Sequence, residues 1–193
     1  MRIGWYMNID VNHPWVVIDR IADVVLAYVD GCIVEIGAGL STLIFEEYAK
    51  IYGRTFYTVD KRISKCNLVK ENTTYDKVVI SNQSSNKFME SFGDSPAVVL
   101  LDGSHKVSTV KAEALFFLDR MNIGGVLFIH DTAPQVKHYE RKVGQGKKMN
   151  TYEVRKFLEK DDRYDVFTWR YTAAKCGLTM VLKKDMNDPI YRT

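Results

Sequence analysis

Five short apolar segments, each separated from the next by a helical pattern, organise the first 130 residues of the chain. Each segment is a near-continuous apolar run, which is typical of strands that helices cover on both faces. Such strands alternating with helices predict an α/β fold with a mostly parallel sheet and right-handed crossovers. The predicted strands are Cys32–Gly37, Arg54–Asp60, Lys77–Ser81, Ala97–Asp102 and Gly125–His130.

The stretches around these strands carry apolar residues at helical spacing. Asn12 as a cap and Pro14 in the first turn predict where the first helix begins. We therefore expect helices on both faces of the sheet. The predicted helices are Trp15–Val29, Ser41–Tyr52, Ile63–Glu71, Asn86–Phe92 and Val107–Met121.

The pattern changes after Asp131. Residues 133–150 are polar and rich in Lys and Arg, and we expect a mobile basic loop that is well placed to cover an acceptor. A helix over Tyr152–Lys160 follows, and then two strands, Asp165–Tyr171 and Leu178–Lys183, with a short link. These strands predict an antiparallel hairpin at the edge of the sheet, which brings the sheet to seven strands in one domain over residues 1–193.

Composition excludes several classes of protein. The length of 193 residues suits one domain. The charges, 27 Lys and Arg against 24 Asp and Glu, argue against a protein that coats a polyanion. Three scattered cysteines argue against a structural zinc site and fit a reducing compartment. With no signal-peptide pattern and no long apolar run, we expect a cytoplasmic protein without a membrane partner.

Ligands of such sheets bind outside the carboxyl ends of the strands, and all five predicted strands end in glycine or polar residues. Packing alone does not explain five such ends. We assign cofactor binding to the first three ends and catalysis or metal binding to the last two. The cofactor candidates are Glu35, Gly37, Ala38, Gly39, Ser41, Thr42, Asp60, Lys61, Ser81 and Asn82.

The first strand end allows a tight turn and a close approach of backbone to ligand, because of Gly37 and Gly39. The third glycine of the dinucleotide fingerprint is replaced by Thr42. Glu35 disfavours a pyrophosphate and suits a ligand with an ammonium or sulfonium group. Asp60 can accept both ribose hydroxyls of a nucleoside. A glycine turn without a ligand and a helix cap at Asp60 are the alternatives.

The fourth and fifth strand ends carry the sequences DGSH and HD. His105 can take a proton from a hydroxyl nucleophile, and Asp102 with Asp131 can bind a divalent ion that fixes substrate oxygens. The alternatives are an exposed or capping His105, a packed His130 and a turn-forming Asp131.

Four motifs at these strand ends, VEIGAGLST, YTVDK, VVLLDGSHK and GGVLFIHDT, resemble those of the class I S-adenosylmethionine-dependent methyltransferases. The resemblance extends over residues 15–183 and implies a Rossmann-like fold. The DGSH and HD pairs are similar to those of metal-binding small-molecule O-methyltransferases, especially the sugar-modifying enzymes that act on macrolides.

This resemblance implies a role for each matching residue. Asp60 would hold the ribose of S-adenosylmethionine, Asp102 and Asp131 would bind Mg²⁺ or Mn²⁺, and His105 would be the base. His130 stands where an acidic ligand is usual, which favours Mn²⁺ or a softer ion if His130 is a ligand. The methionine part would be held by Glu35, Gly37, Gly39 and Ser41.

The resulting hypothesis is O-methyl transfer to a small hydroxylated acceptor, a sugar or glycan unit. The absence of a recognised nucleic-acid-binding module and of an (N/D)PP(Y/F) motif after the fourth strand argues against nucleic acid. Three alternatives remain: a metal-independent methyltransferase, a nicotinamide-dependent oxidoreductase and a non-catalytic binding protein. Further candidates are Trp5 and Tyr6 as a lid, and His138 and Tyr139 for acceptor binding.

Overall fold

The computed structural model describes residues 13–132, 151–171 and 176–188, which contain seven strands and six helices. The strands are β1 (Cys32–Ile36), β2 (Phe56–Val59), β3 (Val78–Ser81), β4 (Pro96–Leu101), β5 (Val126–His130), β6 (Tyr164–Tyr171) and β7 (Cys176–Lys183). The helices are α1 (Pro14–Tyr28), α2 (Ser41–Tyr52), α3 (Ile63–Asn72), α4 (Ser85–Ser91), α5 (Val107–Arg120) and α6 (Tyr152–Leu158).

All seven strands form one sheet in the order β3-β2-β1-β4-β5-β7-β6. β1 to β5 are parallel, so their carboxyl ends lie along one edge of the sheet. β7 is antiparallel to both of its neighbours, β5 and β6. The predicted α/β fold with a C-terminal antiparallel hairpin is confirmed, and the hairpin is inserted with its second strand against β5.

The strands separate two apolar cores, because successive side chains point to opposite faces. Val34 of β1, Val99 of β4 and Leu127 of β5 pack on the face covered by α4, α5 and α6. Ile33 of β1 and Val98 of β4 pack on the opposite face, under α1 and α2. The expectation of helices on both faces is therefore confirmed, and it explains why the strands are continuous apolar runs.

The boundaries of the elements differ from the predicted ones by a few residues. α1 begins at Pro14 with His13 as its N-cap, whose Nδ1 accepts a hydrogen bond from the Trp15 amide at 3.3 Å. We expected Asn12 in this role, but Asn12 lies outside the described residues. The ring of Pro14 fits this first position because its missing N–H has no partner in a helix start.

Two other groups of predictions also lie outside the described residues. They are the lid formed by Trp5 and Tyr6, and the basic segment 133–150 with His138 and Tyr139. Within the ranges that the structure describes, no helix is long and apolar enough to cross a membrane.

The ends of β1 and β4 approach each other closely at Gly37. Its φ of 107° is in the region that side chains disfavour, and a Cβ there would lie 2.6 Å from the Asp102 backbone. Hydrogen bonds tie the same point to both neighbouring strands, since Gly37 N donates to Val59 O and Asp102 N donates to Ile36 O, both at 2.8 Å. A glycine is therefore required where these strand ends meet.

We expect Gly37→Ala to lower the free energy of unfolding by more than about 3 kcal/mol, because both the backbone conformation and the backbone contact oppose a side chain. Gly39→Ala is the matched control, since no atom of the described residues lies within 4 Å of its added Cβ. It should change stability by less than about 1 kcal/mol. Urea unfolding followed by circular dichroism measures both, and equal losses would contradict the close approach at Gly37.

Candidate functional site

Glu35 near the end of β1 is fully buried, and hydroxyl groups surround its carboxylate. Oε2 accepts hydrogen bonds from Thr42 Oγ1 and Thr58 Oγ1, both at 2.6 Å, and Oε1 accepts one from Ser41 Oγ. The three donors come from α2 and β2. A buried carboxylate is costly unless it is hydrogen-bonded, and these contacts offset part of that cost. Glu35 therefore anchors the turn after β1 to the start of α2 and to β2.

Two further contacts fix the glycine turn between β1 and α2. The Gly39 amide donates to Thr42 Oγ1 at 3.0 Å, and Lys65 Nζ of α3 donates to Ala38 O at 2.7 Å. The position of a Gly39 Cβ is open, whereas Ala38 and Ser41 are buried. The turn thus presents backbone and open space at the edge of the sheet, as a cradle for a ligand requires.

Asp60 follows β2 and is engaged by Arg62. Oδ1 accepts hydrogen bonds from the Arg62 amide at 2.8 Å and from Arg62 Nε at 3.1 Å. Oδ2 accepts one from Arg62 Nη2 at 3.1 Å and faces Lys65 Nζ at 3.8 Å. Burial alone would raise the pKa of Asp60, but the hydrogen bonds and charge of Arg62 outweigh it and lower the pKa. Asp60 is therefore an anion in a largely buried position.

The remaining predicted cofactor residues lie next to Asp60 in the chain or at the neighbouring end of β3. Asn82 after β3 donates from Nδ2 to Asp60 O at 3.0 Å, and Ser81 Oγ accepts from Gln83 Nε2 at 2.8 Å. Lys61 is exposed. The structure thus brings the ends of β2 and β3 together, as predicted.

A second group of polar side chains gathers at the ends of β4 and β5. His130 Nδ1 lies 3.2 Å from Asp102 Oδ1 and 3.5 Å from Asp131 Oδ1. His105 Nδ1 lies 3.8 Å from Asp131 Oδ2. All four side chains are partly exposed, between 14% for His130 and 31% for His105. The structure therefore places the four predicted residues in one cluster that solvent can reach.

The backbone around this cluster is held in an unusual conformation. Asp131 has a φ of 57°, the only positive value among the described non-glycine residues. Thr151, just before α6, donates from Oγ1 to Asp131 O at 2.5 Å, and Thr179 of β7 donates to Thr132 Oγ1 at 2.9 Å. Strain of this kind persists where surrounding contacts enforce it, and here two buried threonines supply them.

Trp15 in the first turn of α1 covers one side of the cluster. Its ring stacks on the His130 imidazole with a centroid distance of 4.9 Å and an angle of 13°. This contact restricts the orientation of the ring whose Nδ1 faces both carboxylates.

The donor set of Asp102, His130 and Asp131 fits a divalent metal ion. One ligand atom from each lies within 4.8 Å of the other two. Two ligands at right angles around an ion, each about 2.1 Å from it, are about 3 Å apart, close to the distances from His130 Nδ1 to the two carboxylates. The same distances also suit a polar cluster without a metal.

Sequence reasoning missed several residues of the site. They are Trp15, Thr58, Arg62, Lys65 and Thr151, all of which hold or cover a predicted residue. Arg62 had a local signal, since an Arg two residues after an Asp can turn back onto it. The other four come from different elements, and their contacts depend on the tertiary fold.

Comparison with protein families identifies a methyltransferase domain in this chain. A family model described as "Methyltransferase domain" matches residues 34–132 of this chain. That match includes the glycine turn, Asp60 and the cluster at the ends of β4 and β5. A search of curated proteins finds no match.

Solved structures of three methylating enzymes share the fold. An rRNA methylase from Streptococcus thermophilus is 15% identical with a TM-score of 0.69, over 92% of this chain and 100% of that one. The O-methyltransferase TomG from Streptomyces achromogenes, solved with S-adenosylmethionine, is 13% identical with a TM-score of 0.68, over 92% and 82%. The Podospora anserina methyltransferase PaMTH1, bound to S-adenosylhomocysteine, is 18% identical with a TM-score of 0.66, over 89% and 78%.

Glu35 should make the stability of the protein depend on pH. Burial, partly offset by the hydroxyl donors, raises its pKa from 4.5 to about 7. A raised pKa in the folded state means that stability is complete below about pH 4.5 and falls as the pH rises to about 7. The loss amounts to at most about 3 kcal/mol.

We expect Glu35→Gln, which resembles the protonated acid, to lack this component of the pH dependence. As the pH rises from 4.5 to 7, the wild type should therefore lose unfolding free energy relative to the variant. Glu47→Gln, at a half-buried position on α2, is the control. Urea titrations at four pH values measure the effect, and parallel curves for the wild type and Glu35→Gln would contradict it.

Proposed function

The chain belongs to the methyltransferase domain family, within the class I S-adenosylmethionine-dependent methyltransferases, and we propose from this premise that it methylates a hydroxyl group of a small acceptor, a sugar or glycan unit. The observation that supports the proposal is the cluster of Asp102, His105, His130 and Asp131, which lies at the carboxyl edge of the sheet beside the glycine turn. In the proposed site, this cluster supplies a proton acceptor and a carboxylate pair beside the turn that would hold the cofactor.

The first three strand ends supply the proposed cofactor site. The cofactor would be a nucleoside with an amino-acid tail. The open space at Gly39 suits the amino-acid tail, and the carboxylate of Asp60 suits the ribose. S-adenosylmethionine, when bound, supplies a methyl group on a positively charged sulfur. Glu35 accepts three hydrogen bonds within the protein and holds the turn in shape; that it touches the methionine part itself stays a prediction.

His105 is the proposed general base. Its Nδ1 is buried and faces Asp131 Oδ2 at 3.8 Å, which leaves Nε2 to accept the proton of an acceptor hydroxyl. A hydroxyl becomes a good nucleophile when it loses this proton. As its oxygen bonds the methyl carbon, the bond from that carbon to the cofactor sulfur would break, and S-adenosylhomocysteine would leave. The Asp131 carboxylate stabilises the imidazolium that forms. Holding the hydroxyl in line with the methyl group is the second contribution of the site.

Asp102, His130 and Asp131 would hold the proposed divalent ion. Such an ion lowers the pKa of a bound hydroxyl and fixes two substrate oxygens. Trp15, which stacks on its ring, orients His130 for this role. Because one ligand is an imidazole, the set favours Mn²⁺ over Mg²⁺. The rival, a metal-independent transferase, would leave Asp102 and Asp131 with structural roles only.

The choice of a sugar rests on the resemblance of the DGSH and HD pairs to those of sugar-modifying O-methyltransferases. Vicinal hydroxyls of a sugar also match a site that binds two oxygens at once. The likeness to an rRNA methylase is a likeness of fold, and the described residues add no nucleic-acid-binding module to that fold.

Isothermal titration with S-adenosylhomocysteine is the first test. We expect the wild type to bind with a micromolar Kd and Asp60→Ala to lose at least tenfold in affinity, because the ribose hydroxyls lose their acceptor. Asp76→Ala, at an exposed turn before β3, is the control for the loss of a carboxylate. If neither the wild type nor the control binds, the cofactor assignment is wrong.

Substitution of Asp102 tests the cluster. Asp102→Ala should keep the affinity for S-adenosylhomocysteine, lose Mn²⁺ binding and lose turnover on a panel of sugars and macrolide glycosides with labelled S-adenosylmethionine. Chelation should stop the wild type, and Mn²⁺ should restore it. Activity that survives chelation would favour the metal-independent rival, and unchanged turnover in Asp102→Ala would contradict the metal role of Asp102.

A further inference from the structure

The carboxylate proposed to hold the ribose is already occupied by a side chain of the same protein. An ionised carboxylate offers about four lone-pair sites for hydrogen bonds. Arg62 fills three of them on Asp60, through its amide, Nε and Nη2. Lys65 Nζ lies near the same carboxylate at 3.8 Å from Oδ2. One site remains, whereas two ribose hydroxyls need two.

The side chain of Asp60 is almost fully buried beneath its charged partners. It is 4% exposed, whereas the side chain of Arg62 is 54% exposed and that of Lys65 is 37% exposed. Among the described residues that contact this carboxylate, Arg62 is therefore the partner that an incoming ligand would displace first. The Arg62 guanidinium can turn into water without leaving a buried charge behind, and its amide can keep the bond to Oδ1.

Arg62 also stands where a nucleoside bound between the glycine turn and Asp60 would lie. Hydrogen bonding to Asp60, and beyond it the charge of Asp102 at the end of β4, raise the pKa of Arg62 above its ordinary value. The guanidinium is thus within electrostatic reach of two strand ends, β2 and β4, between which the glycine turn lies.

We propose that Arg62 competes with the cofactor ribose for the Asp60 carboxylate, so that its guanidinium must leave before the nucleoside binds. This inference rests on the proposed role of Asp60 in nucleoside binding. Arg62 then lowers the affinity of the site for the nucleoside. In the free protein the Arg62 guanidinium pairs with the ionised Asp60 carboxylate. When the nucleoside binds, the ribose hydroxyls replace the guanidinium as the hydrogen-bond donors to Asp60.

The test compares Arg62→Ala with the wild type by titration with S-adenosylhomocysteine. Arg62→Ala should bind about two- to fivefold more tightly, as expected for the loss of a competing pair with one exposed partner. Arg62→Lys, which keeps the charge but loses the fork, should fall between them. Lys70→Ala, an exposed lysine in the last turn of α3, is the control for net charge and should match the wild type.

A second pair of ligands identifies the contact. Adenosine carries both ribose hydroxyls and 2′,3′-dideoxyadenosine carries neither, so the gain in Arg62→Ala should appear for adenosine alone. Equal or weaker binding of S-adenosylhomocysteine by Arg62→Ala would overturn the competition, and weaker binding would mean that Arg62 helps to hold the ligand. A gain for both nucleosides would also overturn it.

Absence of binding by the wild type and every variant would instead contradict the proposed function, and the inference with it. Circular dichroism confirms that each variant is folded.

Discussion

The buried carboxylate of Glu35 holds together the part of the protein on which the candidate site depends. Its partners come from the start of α2 and from β2, so one side chain joins three consecutive segments of the fold. Because each donor is a hydroxyl, the group is satisfied whether it is ionised or protonated. The glycine turn, the open space at Gly39 and the position of Asp60 beside it all follow from this arrangement. Removing one partner would leave a buried acceptor without its donor, which is costlier than the contact itself is stabilising.

Parallel pairing of the strands brings the glycine turn next to the other strand ends. β1, β2 and β4 end at the same edge, and Gly37 allows β1 and β4 to come within backbone contact. The cluster of Asp102, His105, His130 and Asp131 therefore forms next to the turn, although its members are separated in the chain by up to 29 positions. The protein combines a rigid, internally bonded side at β1 and β2 with a more exposed, charged side at β4 and β5.

Much of this could be predicted from the sequence, because the relevant signals are local. Apolar runs located the strands, and the polar residues after each run indicated the candidate site, since the ends of parallel strands must meet. The order of the last two strands carried no such signal: a hairpin is local, but which of its strands pairs with β5 is a long-range choice. Glu35 shows a second limit. A carboxylate at a strand end predicts a ligand contact, but the three hydroxyl groups that bond it inside the protein come from other segments, so the sequence next to Glu35 does not indicate them. The stacking of Trp15 on His130 and the bond from Thr151 to Asp131 likewise depend on packing that no short motif encodes.

The bond from Thr151 to Asp131 has a consequence for the precision of the cluster. It joins the residue after β5 to the residue before α6, which are 20 positions apart in the chain. A shift of α6 against the sheet would therefore be transmitted to the Asp131 backbone, and with it to the distances between the Asp131 carboxylate and the two histidines.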